Sequence, residues 1–216
     1  MDRSMEDTIR QAIDVHKAMV GRLETNGVTV MAKAAAAMAE VLKNGGRVYL
    51  CGNGGSAADA QHIAGELMGR FEMTRRALPV MALTTDTSIL TAIGNDLSFE
   101  DVFVRQVEAL VRPGDMLWAI STSGKSPNVV KAARLARERG AMVLAFTGRA
   151  DSPLEQISDL CLCADYPSSA HSQEIHQLAY HIVCGLVERL VCGPTQPVEQ
   201  VTAKRGNRSE VEWIHG

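Results

Sequence analysis

Apolar residues recur along this chain in two rhythms. Over residues 6–43 the rhythm is helical: Ile9, Ile13, His16 and Met19 share one stripe, and an alanine-rich stretch over 31–42 follows the Asn26-Gly27 break. Two N-terminal helices are predicted. Further on come short, continuous apolar runs at 48–51, 80–83, 116–120, 142–146 and 160–163, which read as strands buried on both faces. Helical segments lie between them, including 57–68 and 128–138. Five buried strands alternating with helices predict an α/β fold, a parallel sheet covered on both faces and joined by right-handed crossovers. Ligands bind such sheets at the carboxyl ends of the strands. A last long helix is expected over about 172–191, with Ile175, Leu178, Ile182, Leu186 and Leu190 as its apolar face.

After Gly193 the composition turns to Pro, Gln, Lys, Arg, Ser and Glu, with few apolar residues before Trp213 and Ile214. Residues 193–216 therefore read as a mobile polar extension of one domain at 1–192. A length of 216 residues suits a single domain. With 46% hydrophobic and 22% charged residues the composition is globular, and a net charge of -3 supplies no basic field for nucleic acid. The five cysteines are odd in number and mostly lie in apolar runs such as Cys161-Leu162-Cys163, as small core residues of a protein in a reducing compartment would. The first residues carry no apolar signal core, and no stretch approaches the ~20 apolar residues of a membrane span. A soluble, cytoplasmic chain is expected.

The candidate chemistry sits in the punctuation between these elements. Cys51-Gly52-Asn53-Gly54-Gly55-Ser56 follows the first strand and opens a helix. Its glycines let the backbone approach an anion or take positive φ, and the helix N-terminus presents free amides. The same glycines also satisfy a purely structural turn or a relaxed dinucleotide fingerprint. The last is disfavoured, because Glu72 has the right spacing for its acidic residue but ends a helical segment, whereas Asp86 follows a strand too late. Ser121-Thr122-Ser123-Gly124-Lys125-Ser126 repeats the strand, loop, helix arrangement. Ser126 before Pro127 is a good helix cap. Ser121, Thr122 and Ser123 add three hydroxyls suited to a phosphate monoester, without the Gly-Lys-Ser/Thr ending of a nucleotide hydrolase.

His62 and Glu66, four apart, share one helix face as metal ligands, an acid-base pair or a surface ion pair would. Gln173 and His181 are eight apart, about 12 Å of helix rise, so they converge only if one side chain reaches along the helix. His176 points to another face and reads as a core or interface histidine. Imidazole, carboxylate and carboxamide oxygen together suit zinc or a similar divalent cation.

Taken in order, the run from Gly52 to His62, Gly94-Asn95-Asp96, the run from Ile120 to Asn128, and Gln173-Glu174-Ile175-His176 resemble the phosphoheptose isomerase branch of the sugar isomerase (SIS) family. The resemblance spans most of residues 5–192. It implies a flavodoxin-like five-stranded parallel sheet, a homotetramer with active sites at subunit interfaces, and conversion of sedoheptulose 7-phosphate to D-glycero-D-manno-heptose 7-phosphate. It also implies a zinc site made by His62, Glu66, Gln173 and His181, with Glu66 and His181 as the catalytic pair. Asn53, Gly54, Gly55, Ser56, Ser121, Thr122, Ser123, Ser126 and Gln173 would hold the phosphate and sugar hydroxyls, with Arg70 and Asp96 lining the site. The alanine-rich stripe over 31–38 and the apolar face of the last helix are expected at subunit contacts.

Three features depart from the family pattern. Lys125 stands where asparagine is common, Ala170-His171-Ser172 replaces Asp-Arg-Ile, and the tail is additional. Three rival readings share the fold: the DnaA initiator-associating assembly factors, sugar-phosphate-sensing regulator domains, and isomerases of shorter ketose phosphates. The first lack the catalytic set that Glu66 and His181 supply here. The second would bring a helix-turn-helix or basic patch that this chain does not show. The third stays open, because a phosphate cradle cannot count carbons.

Overall fold

Each central strand divides its side chains between two cores. The computed structural model describes residues 3–193. In it Val48–Gly52 (β1), Val80–Ala82 (β2), Met116–Ser121 (β3), Met142–Thr147 (β4) and Leu160–Cys163 (β5) form one sheet in the order β2-β1-β3-β4-β5, and every pairing is parallel. Leu50, Trp118, Ile120, Leu144 and Phe146 enter one core; Tyr49, Cys51, Leu117, Ala119, Val143 and Ala145 enter the other. The period of two along a strand makes this division, and burial on both faces explains the unbroken apolar runs.

The first core is roofed by Arg3–Asn26 (α1), Val28–Lys43 (α2), Gly55–Met68 (α3) and Ser169–Cys192 (α8). The second lies under Val104–Leu110 (α5), Pro127–Glu138 (α6) and Pro153–Ile157 (α7). Thr87–Asp96 (α4) buries no residue; it is started by Asp86, whose carboxylate accepts the Ile89 amide at 2.9 Å. Glu72 pairs with Arg189 instead. Both candidate acids of a dinucleotide site are thus engaged elsewhere. All five cysteines are free thiols, and burial pushes that of Cys51 up to about 12. No helix among the described residues is long and apolar enough to cross a membrane. Apart from Gly193, which caps α8, the expected tail lies outside the described residues, as does Trp213.

Three expectations about helix faces are corrected. On α1 only the second half of the apolar stripe meets the core: Met19 and Leu23 are buried, whereas Ile9 and Ile13 are exposed because no described element packs beneath them. The alanine-rich stripe, Met31, Ala34, Ala35 and Met38, is not left for another subunit but is buried against α8 within the chain. Small side chains let two helices approach closely there. On α8 the buried face is Ile175, Ala179, Tyr180, Val183, Cys184 and Val187, and Leu178, Ile182 and Leu190 face outward. Three helices, α1, α2 and α3, pack against α8, so its buried arc is wider than one leucine stripe.

His176 is a core histidine. Its Nε2 lies 3.0 Å from the Thr147 carbonyl and its Nδ1 is buried without a partner. Burial pushes its pKa down from 6.5 to about 4, a shift the bond to Thr147 only partly opposes. In the unfolded chain this imidazole takes up a proton below its ordinary pKa, whereas the folded state resists protonation until about pH 4. Stability is therefore full above pH 6.5 and is lost as pH falls from there toward 4, by about 3 kcal/mol in all. A His176→Phe variant should show a flatter acid limb in urea titrations between those pH values. An unchanged limb would remove His176 as the cause.

Candidate active site

β1 and β3 are neighbours, with Gly52 opposite Ile120, and their following helices leave to opposite faces of the sheet, α3 to the first core and α6 to the second. This is the point where strand order reverses, and a crevice opens there at the carboxyl ends. Both small-residue loops border it. Gly54 takes φ 55, a conformation that favours glycine, and α3 begins at the next residue. The loops are tied together by a reciprocal pair of carboxamide bonds, each 2.9 Å, between Asn53 and Asn128.

In the second loop the hydroxyls gather. Ser121 Oγ donates to Ser126 Oγ at 3.1 Å and lies 3.4 Å from Ser123 Oγ, which also accepts the Lys125 amide. Thr122 Oγ1 donates to Ser169 Oγ at the start of α8. Ser126 stands at the cap position of α6 with Pro127 behind it, yet its side chain caps no amide. The expectation of a hydroxyl cap is thus corrected: the group turns inward to Ser121, while proline alone suits the first turn.

Beyond the loops, α3 and α8 bring a His–Glu–His group together. His62 Nε2 lies 2.9 Å from Glu66 Oε1 and 3.3 Å from His181 Nε2, and one ligand atom from each residue falls within 4.8 Å of the others. These donors fit a divalent cation such as zinc, which takes imidazole nitrogen and carboxylate oxygen in this composition. The plain ion-pair reading of His62 and Glu66 does not account for a second imidazole arriving from a helix 119 residues away in sequence. Burial, and then His62, hold the His181 pKa below its ordinary value against an opposing pull from Glu66, so neutral imidazole is favoured, the form that ligates or accepts a proton.

Gln173 lies at the start of the same helix, against the first loop: a Cβ at Gly55 would collide with its carboxamide. Its carboxamide makes no hydrogen bond among the described residues and so is available to the crevice. Ser56 is buried in the first turn of α3. Arg70 is exposed in the segment after α3, and Asp96 is exposed at the end of α4, where it accepts from Asn95 at 2.7 Å. Among the described residues no hydrogen bond links either of them to the His–Glu–His group.

Three neighbours of that group carry no mark in the sequence reading. The Tyr180 hydroxyl lies 3.1 Å from His62 Nδ1 and fixes that ring from behind. Asp59, one turn before His62, has one buried carboxylate oxygen without a partner, and burial pushes its pKa up to about 6 against the pull of His62 and Tyr180. Phe71 stacks on His181, ring centroids 5.7 Å apart and planes within 2°. Tyr180 could have been suspected as an aromatic beside His181, and Asp59 from its i, i+3 spacing to His62. Phe71 sits in irregular chain, where no periodicity marks it.

A parallel sheet with two small-residue loops at its switch point and a His–Glu–His group beside them belongs to a sugar isomerase domain: the family model described as SIS domain matches residues 13–148. A phosphoheptose isomerase of Roseiflexus sp. is 50% identical over 85% of this chain and 91% of its own length. Solved phosphoheptose isomerases from Neisseria gonorrhoeae and Francisella tularensis superpose with TM-scores of 0.81 and 0.83, at 41% and 34% identity, over 85% and 86% of this chain and 98% of each of theirs. The chain belongs to the SIS-domain family, among its phosphoheptose isomerases.

Proposed function

We infer that this protein isomerises sedoheptulose 7-phosphate to D-glycero-D-manno-heptose 7-phosphate through an enediol, supplying heptose biosynthesis. The observation that carries the reading is the convergence of Glu66 and His181, from two helices, on His62 beside two anion loops. The loops hold the phosphate: Gly54 and Gly55 offer backbone amides at a helix N-terminus that Ser56 continues, and Ser121, Thr122, Ser123 and Ser126 offer hydroxyls. Asn53 and Gln173 hold sugar hydroxyls, with Arg70 and Asp96 completing the lining.

With the phosphate anchored, the reacting carbons lie toward Glu66. Its carboxylate takes the proton from C1, the electron pair forms the C1–C2 double bond, and the C2 carbonyl oxygen takes up a proton. Glu66 then returns its proton to C2 as the C1 hydroxyl gives up its own, leaving the aldehyde. His181, held neutral, carries the oxygen-bound protons. His62, Glu66 and His181, with Gln173 as a fourth donor, would hold a zinc ion, which when bound polarises the carbonyl and stabilises the developing oxyanion. Tyr180 keeps the His62 ring oriented for it.

Turnover of ketose phosphates from five to seven carbons tests the substrate. The seven-carbon member should be preferred, and absence of any aldose phosphate, with or without added zinc, would sink the reading. The outward Leu178, Ile182 and Leu190 of α8 and Ile9 and Ile13 of α1 support self-association; we take this to be a homotetramer with active sites at subunit boundaries, working in the cytoplasm. Light scattering should give four chains per particle; a clean monomer at micromolar concentration contradicts the assembly.

A further inference from the structure

His181, Gly185 and Glu188 lie at i, i+4 and i+7 on α8 and so share one face. The irregular segment 69–76, which follows α3, lies along that face. Phe71 stacks on His181 and runs over Gly185, where an added Cβ would meet its ring at an ordinary 3.5 Å. At the end of the stripe is a charge that the chemistry does not use. Glu188 is fully buried, and its carboxylate accepts the backbone amides of Phe71 at 3.0 Å, Glu72 at 2.9 Å and Met73 at 3.0 Å. Arg75, its side chain 3% exposed, brings Nε to 2.9 Å from Glu188 Oε1. Its two other nitrogens reach back to the catalytic helix: Nη2 donates to the Glu66 carbonyl at 2.8 Å and Nη1 to the Gly69 carbonyl at 2.9 Å.

A carboxylate that accepts three successive amides fixes the path of the chain more tightly than packing does, because each bond is charge-assisted and none is shared with water. The segment it fixes carries Phe71, the stacking partner of His181, and Arg70, and Arg75 joins the segment to the main chain of Glu66. We propose that Glu188, acting with Arg75, is a positioning residue of the isomerase: it holds segment 69–76 so that Phe71 sets the ring of His181 relative to Glu66. It touches no reacting atom. The proposal rests on the assignment of His181 and Glu66 as the proton-transfer pair.

The experiment uses Glu188→Gln, Glu188→Asp and Phe71→Leu in the full chain, with Glu188→Gln/Phe71→Leu as the double variant. Glutamine presents an N–H pair toward amide donors and the guanidinium, so the clamp opens; aspartate keeps the charge but is one methylene short. Trypsin reads the clamp directly, because Arg70, Arg75 and Arg76 all lie in the segment. Glu188→Gln should be cut there while the rest of the chain keeps its circular dichroism. The kcat should fall about 10–100-fold, the scale of a sub-ångström to 1 Å misplacement, with little change in KM. Glu188→Asp should recover part of that loss, and adding Phe71→Leu to Glu188→Gln should cost little more, since both act through one ring.

Native trypsin resistance with native kcat in Glu188→Gln overturns the proposal. So does a cut segment with native kcat, which would leave Glu188 a structural role alone, or losses that multiply in the double variant. Should Glu188→Gln fail to fold, Arg75→Lys takes its place, because lysine keeps the charge but loses the fork to Glu66 and Gly69. Trypsin cutting with a lowered kcat then supports the proposal, and a native kcat in that variant overturns it. If the unaltered protein turns over no heptose phosphate, the proposed function fails, and the trypsin comparison still decides whether the clamp exists.

Discussion

Replacing Glu66 by glutamine should lower kcat by at least ~100-fold, the lower range for a positioned general base, while KM for the sugar phosphate stays close to that of the unaltered protein. The substitution keeps size and one oxygen able to accept from His62 Nε2, so the 2.9 Å contact can persist. The main-chain carbonyl that Arg75 uses is untouched. In the proposed mechanism what disappears is the carboxylate that removes the C1 proton, whereas the loops proposed to bind phosphate do not include residue 66. His62→Ala makes the contrast. It removes a donor from the His62–Glu66–His181 group without removing the base, so its loss should be partly restored by high added zinc, and metal analysis should show weaker retention. A folded, metal-loaded Glu66→Gln protein with near-normal turnover would show that another group moves the proton.

Gly52→Ala should weaken substrate binding. An alanine Cβ there would lie 2.7 Å from the Ser56 carbonyl oxygen and 2.9 Å from Ser56 C and Cβ, all atoms of the first turn of α3. These are backbone or backbone-fixed atoms that no rotamer change can move, unlike the side-chain end of Gln173 above Gly55. Relief comes only by shifting the helix N-terminus off the end of β1, at a cost of about 1–3 kcal/mol. The amides of that turn would then no longer face the phosphate together, as the proposed function requires. KM should rise roughly 10-fold or more, and inorganic phosphate should protect the variant less against heat than it protects the unaltered protein. A native KM would mean that the phosphate does not rest on this turn.

The sequence by itself determined the sheet. Five unbroken apolar runs allowed little besides strands buried on both faces, and each became a strand within one residue at either end. It also determined both loops, because glycine and serine clusters after a strand have a local meaning that distant residues do not alter. Motif order, more than any single motif, marked the family. His62 and Glu66 were visible as an i, i+4 pair, but their spacing could not separate a surface ion pair from a site. Spacing alone could not reveal the second imidazole, which the approach of α8 to α3 brings beside them.

Only the tertiary structure settled which helix faces are buried. The alanines of α2 look like an interface stripe in sequence, yet α8 covers them; the apolar residues of α8 look like a single face, yet Ile175 is buried within the chain while Leu178 and Leu190 point outward. Periodicity gives the direction of a face but not what stands opposite it. The same limit hid the residues behind the site. Glu188 follows Val187 in an apolar helix, and a charge in such a run hints at a buried role; its partners, three successive amides more than a hundred residues earlier, carry no side-chain signal at all. Backbone donors are identical at every residue but proline, so no pattern of letters could name them. The path of the folded chain past α8 placed them there.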